Sequence, residues 1–207
     1  MRGRLGAVVL TATLTGALIA APAQATPAAT AQAAPITLTA GHVDVLDVDY
    51  TGGVVTLDLR DGTGSTPVDR NPADVILAVP AAAKTTVPSG TAWSFLGAAG
   101  SPVWVLPQSQ NPNLLFAGWD TTGATGAPAL TFRLTGVSGP GRFSVYTTGS
   151  FGTPTRLFDS GDGLPDSLAV PVGTHAHANW AFSAAGTYAV TFEAGGATAT
   201  YTFQVSS

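Results

Sequence analysis

From Ile36 onward, apolar residues fall mainly at alternate positions, in short runs broken by Gly, Pro, Asn and Asp. Alternation with a period of two predicts strands with one face buried, and the breakers mark the turns between them. Strands are expected at 36–39, 42–50, 54–60, 75–80, 93–96, 102–107, 114–119, 129–134, 142–147, 175–182, 187–192 and 201–205. Gly52-Gly53 predicts a hairpin joining 42–50 to 54–60. Ser138-Gly139-Pro140-Gly141 is expected to turn 129–134 back into 142–147. A final hairpin is expected from His175 through Phe182, turning at Ala184-Ala185-Gly186 and returning over 187–192. Within 42–50 the acidic and histidine positions change parity, which predicts a bulge near Leu46. Helical periodicity is weak throughout, with at most one short turn expected between Ala81 and Gly90. The predicted class is all-β, an antiparallel immunoglobulin-like β-sandwich forming one domain over 36–207. Gly186-Thr187-Tyr188 ahead of an alternating strand suits the tyrosine corner of such folds.

The N-terminal segment breaks this pattern. Arg2 and Arg4 precede a mostly apolar run, Leu5 to Ala21, and Ala23-Gln24-Ala25 is a small-x-small cleavage signal. Residues 1–25 are therefore expected to be a secretory signal peptide, and 26–35 a loose tail rich in Ala, Thr and Pro. The apolar run is short for a membrane span, so no span is expected in the mature chain. Removing 25 of the 207 residues leaves 182, enough for one sizeable sandwich. Without Arg2 and Arg4 the eight basic residues become six against twelve acidic ones, a formal charge of −6. That balance argues against nucleic acid and anionic membranes as partners. Cysteine is absent, so stability must come from a core, and thiolate metal sites are excluded. With no C-terminal anchor or sorting motif apparent, the mature protein is expected to be released.

Candidate chemistry concentrates in two stretches. His175 and His177 lie two apart in Thr174-His175-Ala176-His177-Ala178-Asn179-Trp180, and His42 and Asp44 lie two apart in Gly41-His42-Val43-Asp44. On strands, residues at i and i+2 share a face. If the two strands lie close together, three imidazoles and a carboxylate can converge as ligands. His42, His175, His177 and Asp44 are the predicted metal set, with Asp47 and Asp49 as weaker substitutes for Asp44. Zinc is the leading ion, with copper or manganese behind it, because histidine suits several divalent metals. The alternative is a hydrogen-bonded histidine cluster that only braces two strands. Gln108 and Asn179 either orient the imidazoles or satisfy backbone groups in turns. Asp159, Asp162 and Asp166 suggest a calcium loop, but their spacing fits a turn-rich surface loop better. Asp159-Ser160-Gly161 faintly suggests a serine hydrolase but departs from the usual glycine pattern, and no helix-borne His-Glu pair is present. No catalytic residue is assigned. Of Trp93, Trp104, Trp119 and Trp180, at least two are expected in the core, with Trp104 and Trp180 near the histidines.

Gly41-His42-Val43-Asp44, Trp104-Val105-Leu106-Pro107-Gln108, Gly118-Trp119, Gly139-Pro140-Gly141 and His175-Ala176-His177-Ala178-Asn179-Trp180-Ala181-Phe182 together resemble the actinobacterial surface-anchored protein domain. The resemblance runs from Leu38 to Phe192 or beyond. It implies an extracellular domain, found singly or in repeats. Some such domains are attached to the cell wall, and several lie beside the solute-binding and permease parts of a metal-type ABC transporter. It implies no enzymatic activity. The expected function is thus a secreted, non-catalytic domain that binds a divalent metal for capture or for delivery to an importer. Its expected partners are the metal ion and a transporter solute-binding protein or cell-surface component. The rival reading is an extracellular adhesion or structural module.

Overall fold

A computed structural model describes Gly3 and residues 34–207. Apart from Gly3, the signal peptide expected over 1–25 lies outside the described residues, as does most of the tail over 26–35. The strands in chain order are β1 (Ile36–Leu38), β2 (Gly41–Thr51), β3 (Val54–Gly62), β4 (Val68–Arg70), β5 (Val75–Val79), β6 (Lys84–Thr86), β7 (Pro102–Leu106) and β8 (Leu115–Asp120). They continue as β9 (Leu130–Ser138), β10 (Phe143–Thr148), β11 (Pro154–Asp159), β12 (Asp166–Val170), β13 (His175–His177), β14 (Asn179–Phe182), β15 (Gly186–Ala194) and β16 (Ala197–Val205). Only brief 3-10 turns interrupt them, including Ala81–Ala83 and Thr91–Leu96. The latter replaces the strand expected at 93–96. The all-β class holds.

One sheet has six strands in the order β1-β5-β16-β15-β9-β12. Two sheets have five, β11-β10-β14-β7-β6 and β13-β8-β2-β3-β4. On β15 the residues Tyr188, Val190, Phe192 and Ala194 are buried, while those between them are partly exposed, as alternation requires. This inner face meets both smaller sheets. Phe192 and Phe203 pack on Trp180, and Phe132 takes Trp119 edge-on. The result is a sandwich with the six-stranded sheet on one side. Trp104, Trp119 and Trp180 are all buried, which fulfils the core assignment for these side chains.

Pairing departs from the expected pattern in instructive places. β2 and β3 form the predicted hairpin, with register shifts beside Val45 and Leu46 where the bulge was expected. Both Val45 and Leu46 are buried, so the extra residue keeps two apolar side chains inward and reverses the parity of everything after them. Three pairings are parallel: β1 with β5, β16 with β5, and β2 with β8. β9 and β10 belong to different sheets, so 138–141 is a crossing between layers rather than a hairpin turn. The expected hairpin from 175–182 to 187–192 is also absent. The chain changes sheets at buried Ala178, with β13 on one sheet and β14 on another, while β15 pairs with β16 and β9.

Tyr188 fixes the corner before β15. Its hydroxyl donates to the carbonyl of Ala184 at 3.0 Å and accepts from the Ala184 amide at 3.2 Å. A Cβ at Gly139 would lie 2.5 Å from the Tyr188 ring, so Gly139 is what lets the ring lie flat under the crossing. Tyr188→Phe should keep the fold and lower stability by about 1 kcal/mol, since the part-buried Ala184 amide and carbonyl lose their partner. Chemical denaturation, with an unchanged slope against denaturant, measures the difference.

Candidate metal centre

The five-stranded sheet β13-β8-β2-β3-β4 brings the four predicted ligands onto one face. In β2, Val43 and Val45 are wholly buried toward the core, so His42 and Asp44 point the other way. His175 and His177 share a face of β13 for the same reason. The two strands are not neighbours: β8 lies between them, antiparallel to β13 and parallel to β2. Across one rank of the sheet, His177 stands opposite Gly118, and Gly118 opposite Asp44. In the next ranks His175 stands opposite Asp120, and His42 opposite Phe116.

Glycine makes the space. A Cβ at Gly118 would lie 2.5 Å from the Ala176 carbonyl oxygen and 2.6 Å from Nδ1 of His177. On the far side, a Cβ at Gly62 would lie 2.6 Å from Nδ1 of His42. Both imidazoles thus rest with Nδ1 against a bare Cα, and Nε2 of His42 is the nitrogen that meets its neighbours in the cluster. Phe116 stacks on His177 at 3.5 Å between ring centres and 10° between planes, clamping the ring from one side.

Donor atoms converge accordingly. Nε2 of His175 lies 3.0 Å from Oδ1 of Asp44 and 3.2 Å from Nε2 of His42. Nε2 of His42 lies 3.6 Å from the same carboxylate oxygen. With His177 included, one donor from each of the four residues lies within 4.8 Å of every other. Tetrahedral zinc with bonds of about 2.0–2.1 Å needs donors about 3.3 Å apart. Three of the four already sit on such a triangle. This His/Asp cluster could hold a metal ion.

The electrostatics suit a cation. Asp44 is 1% exposed, and burial pushes its carboxyl above the usual range while His42 and His175 pull it back. Burial holds the His177 imidazolium down, to a pKa of about 4; the peptide groups of Ala117 and Phe116 pull it back in part, and His42 and His175 add repulsion. Its Nδ1 is buried without a well-formed hydrogen bond. At neutral pH His177 is therefore a free base with its lone pair ready for a metal.

The remaining candidates fall elsewhere. Asn179 accepts from the Gln108 amide at 3.0 Å and donates to Gln108 Oε1 at 2.8 Å, and Gln108 bridges both backbone groups of Thr148. The pair laces β7, β10 and β14 together, the backbone-satisfying role, and does not touch the imidazoles. Asp159 is held by Arg156, Ser144 and the Gly161 amide. Ser160 accepts from the Phe143 amide, so these side chains build a turn. Trp104 and Trp180 do not stand by the histidines as expected. β7 and β14 carry them into another sheet, where Lys84 covers Trp104 and Phe143 meets Trp180. Phe116 takes the aromatic place beside the site. Its position two residues before Gly118 in an alternating strand was the available signal.

Asp47 is the buried acid that ligand-pattern reasoning undervalued. After the bulge it shares the ligand face, standing opposite Asp120 on one side and Asp58 on the other. Burial, then Asp49 and Asp69, raise its pKa from 3.8 to about 7, with Arg60 opposing at 4.0 Å. Comparison with known protein families, with curated proteins and with solved structures finds no match for this chain.

Two outcomes follow from this geometry. Gly118→Ala should push β13 off β8, costing about 1–3 kcal/mol and abolishing the contact between His42 and His175; NMR of the imidazole resonances reports both ring environments. For Asp47, the folded state keeps a proton that the unfolded chain has lost between pH 3.8 and about 7. Its contribution to stability therefore falls as pH rises through that window. His177, lowered from 6.5 to about 4, gives the opposite slope over its own window. Asp47→Asn should thus gain on the parent protein between pH 4 and 8, by on the order of a few kcal/mol. Denaturation at the two pH values tests this; an unchanged difference contradicts it.

Proposed function

We propose that this protein is an exported, non-catalytic β-domain that binds one divalent transition metal, zinc foremost, through His42, Asp44, His175 and His177. Its role is extracellular capture of the ion and delivery to a metal importer. The observation that carries this reading is the donor triangle of His42, His175 and Asp44, at 3.0, 3.2 and 3.6 Å. Three nitrogens and one carboxylate oxygen match zinc better than manganese, which favours oxygen-rich octahedral sites; copper(II) would require a flatter arrangement. The resemblance to the surface-anchored protein domain supports the extracellular setting and the importer. A non-catalytic role is supported by Ser160 and Asp159, whose side-chain oxygens accept hydrogen bonds from the Phe143 and Gly161 amides and so brace the turn against β10.

The structural alternative has an observation of its own. His175 can share its Nε2 between Asp44 and His42 as a hydrogen-bonded brace without an ion. Metal content and affinity of the mature protein, beside the His175→Ala/His177→Ala double variant, separate the two. The proposal expects one zinc per chain, bound at least 100-fold more weakly in a variant that keeps its β-rich circular dichroism. Wild-type protein that binds no metal, or equal binding by both, would leave only the brace.

A further inference from the structure

The four donors do not enclose the ion. All four rise from one face of a single sheet, on strands flanking Gly118, whose backbone closes the inner side. Burial is graded outward: the Asp44 side chain is 1% exposed, that of His42 30% and that of His175 43%. An ion held over Gly118 is thus covered from below and uncovered above. β13 is also the edge strand of its sheet and only three residues long, so among the described residues no further strand flanks the site on that side.

Resting on the metal reading, we infer that the bound ion keeps an outward coordination position and that this position takes the side-chain imidazole of a histidine from another protein. The neutral nitrogen donor is chosen by the surroundings. Asp120, partly exposed, stands opposite His175, so an approaching anion meets its carboxylate beside the site. Arg60, in register with Asp44, is held by Asp69 at 2.9 Å and offers an anion no free charge. The donor must also come from outside the chain. All three histidines already belong to the centre, and cysteine is absent. A second copy could supply an imidazole only by dismantling its own site. An open position filled by a partner's imidazole gives the ion a bridged route from one protein to the next, without passing through free solution.

Cobalt(II) in place of zinc makes the position visible, because its visible absorption weakens and shifts when a four-coordinate ion gains a fifth ligand. Mature, cobalt-loaded protein would be titrated with imidazole, acetyl-histidine-amide, free histidine and azide. The inference expects one saturable change with imidazole and with the blocked histidine, the cobalt staying bound, and azide at least tenfold weaker. In Asp120→Asn, azide should bind severalfold tighter while imidazole is little changed. Unaltered spectra with imidazole, or azide as strong as imidazole, would overturn it. Free histidine binding more tightly than the blocked residue would assign the position to a small chelator and overturn the partner assignment. A protein that never takes up cobalt removes the metal centre itself, and the inference with it.

Discussion

A side chain at position 118 and the imidazole of His177 cannot occupy the same space. That exclusion organises the functional face. β8 runs between the two ligand-bearing strands, and neighbouring strands lie about 4.8 Å apart. Ligands on β2 and β13 are thus separated by two such spacings, and any residue larger than glycine between them would fill the gap. With Gly118 there, the imidazoles lean inward over bare backbone, and Gly62 does the same for the far side of His42. Phe116, one rank away, presses His177 into place.

The sheet switch at Ala178 is the second requirement. β13 holds only His175, Ala176 and His177 before the chain leaves for the neighbouring sheet. Trp180 and Phe182 then go into the aromatic core with Phe143, Phe192 and Phe203. Burying these large side chains stabilises the fold by roughly 1.5–3 kcal/mol each, and it anchors the short ligand strand immediately before them. Thr121 secures the other end, its amide and hydroxyl meeting the carbonyl of Thr174. A three-residue edge strand is thereby held at both ends while its outer side stays open.

Much of this was legible in local pattern. Alternation identified most strands, and i, i+2 spacing placed His42 with Asp44 and His175 with His177 on common faces. The parity change after Asp44 signalled the bulge. Long-range pairing was not legible. Nothing in 42–50 or 114–119 says that they will lie parallel, because a parallel partner is chosen by the route of the intervening chain and not by a turn. Hairpins were therefore expected where the chain crosses between layers. Trp180 was placed beside the histidines because it is close to them in sequence, and the break at Ala178 separates them. Asp47 stood only as a weaker substitute for Asp44; its burial follows from the bulge turning it onto the crowded ligand face.

The central claim is that four side chains from two strands, β2 and β13, form one ion site over Gly118. Zinc-edge anomalous scattering from crystals of the zinc-treated protein tests it most directly. The account predicts one strong peak per chain, within bonding distance of Nε2 of His42, Nε2 of His175 and a carboxylate oxygen of Asp44, with His177 as the fourth donor. A strong peak elsewhere, or none at the cluster in crystals grown with excess zinc near neutral pH, would contradict it.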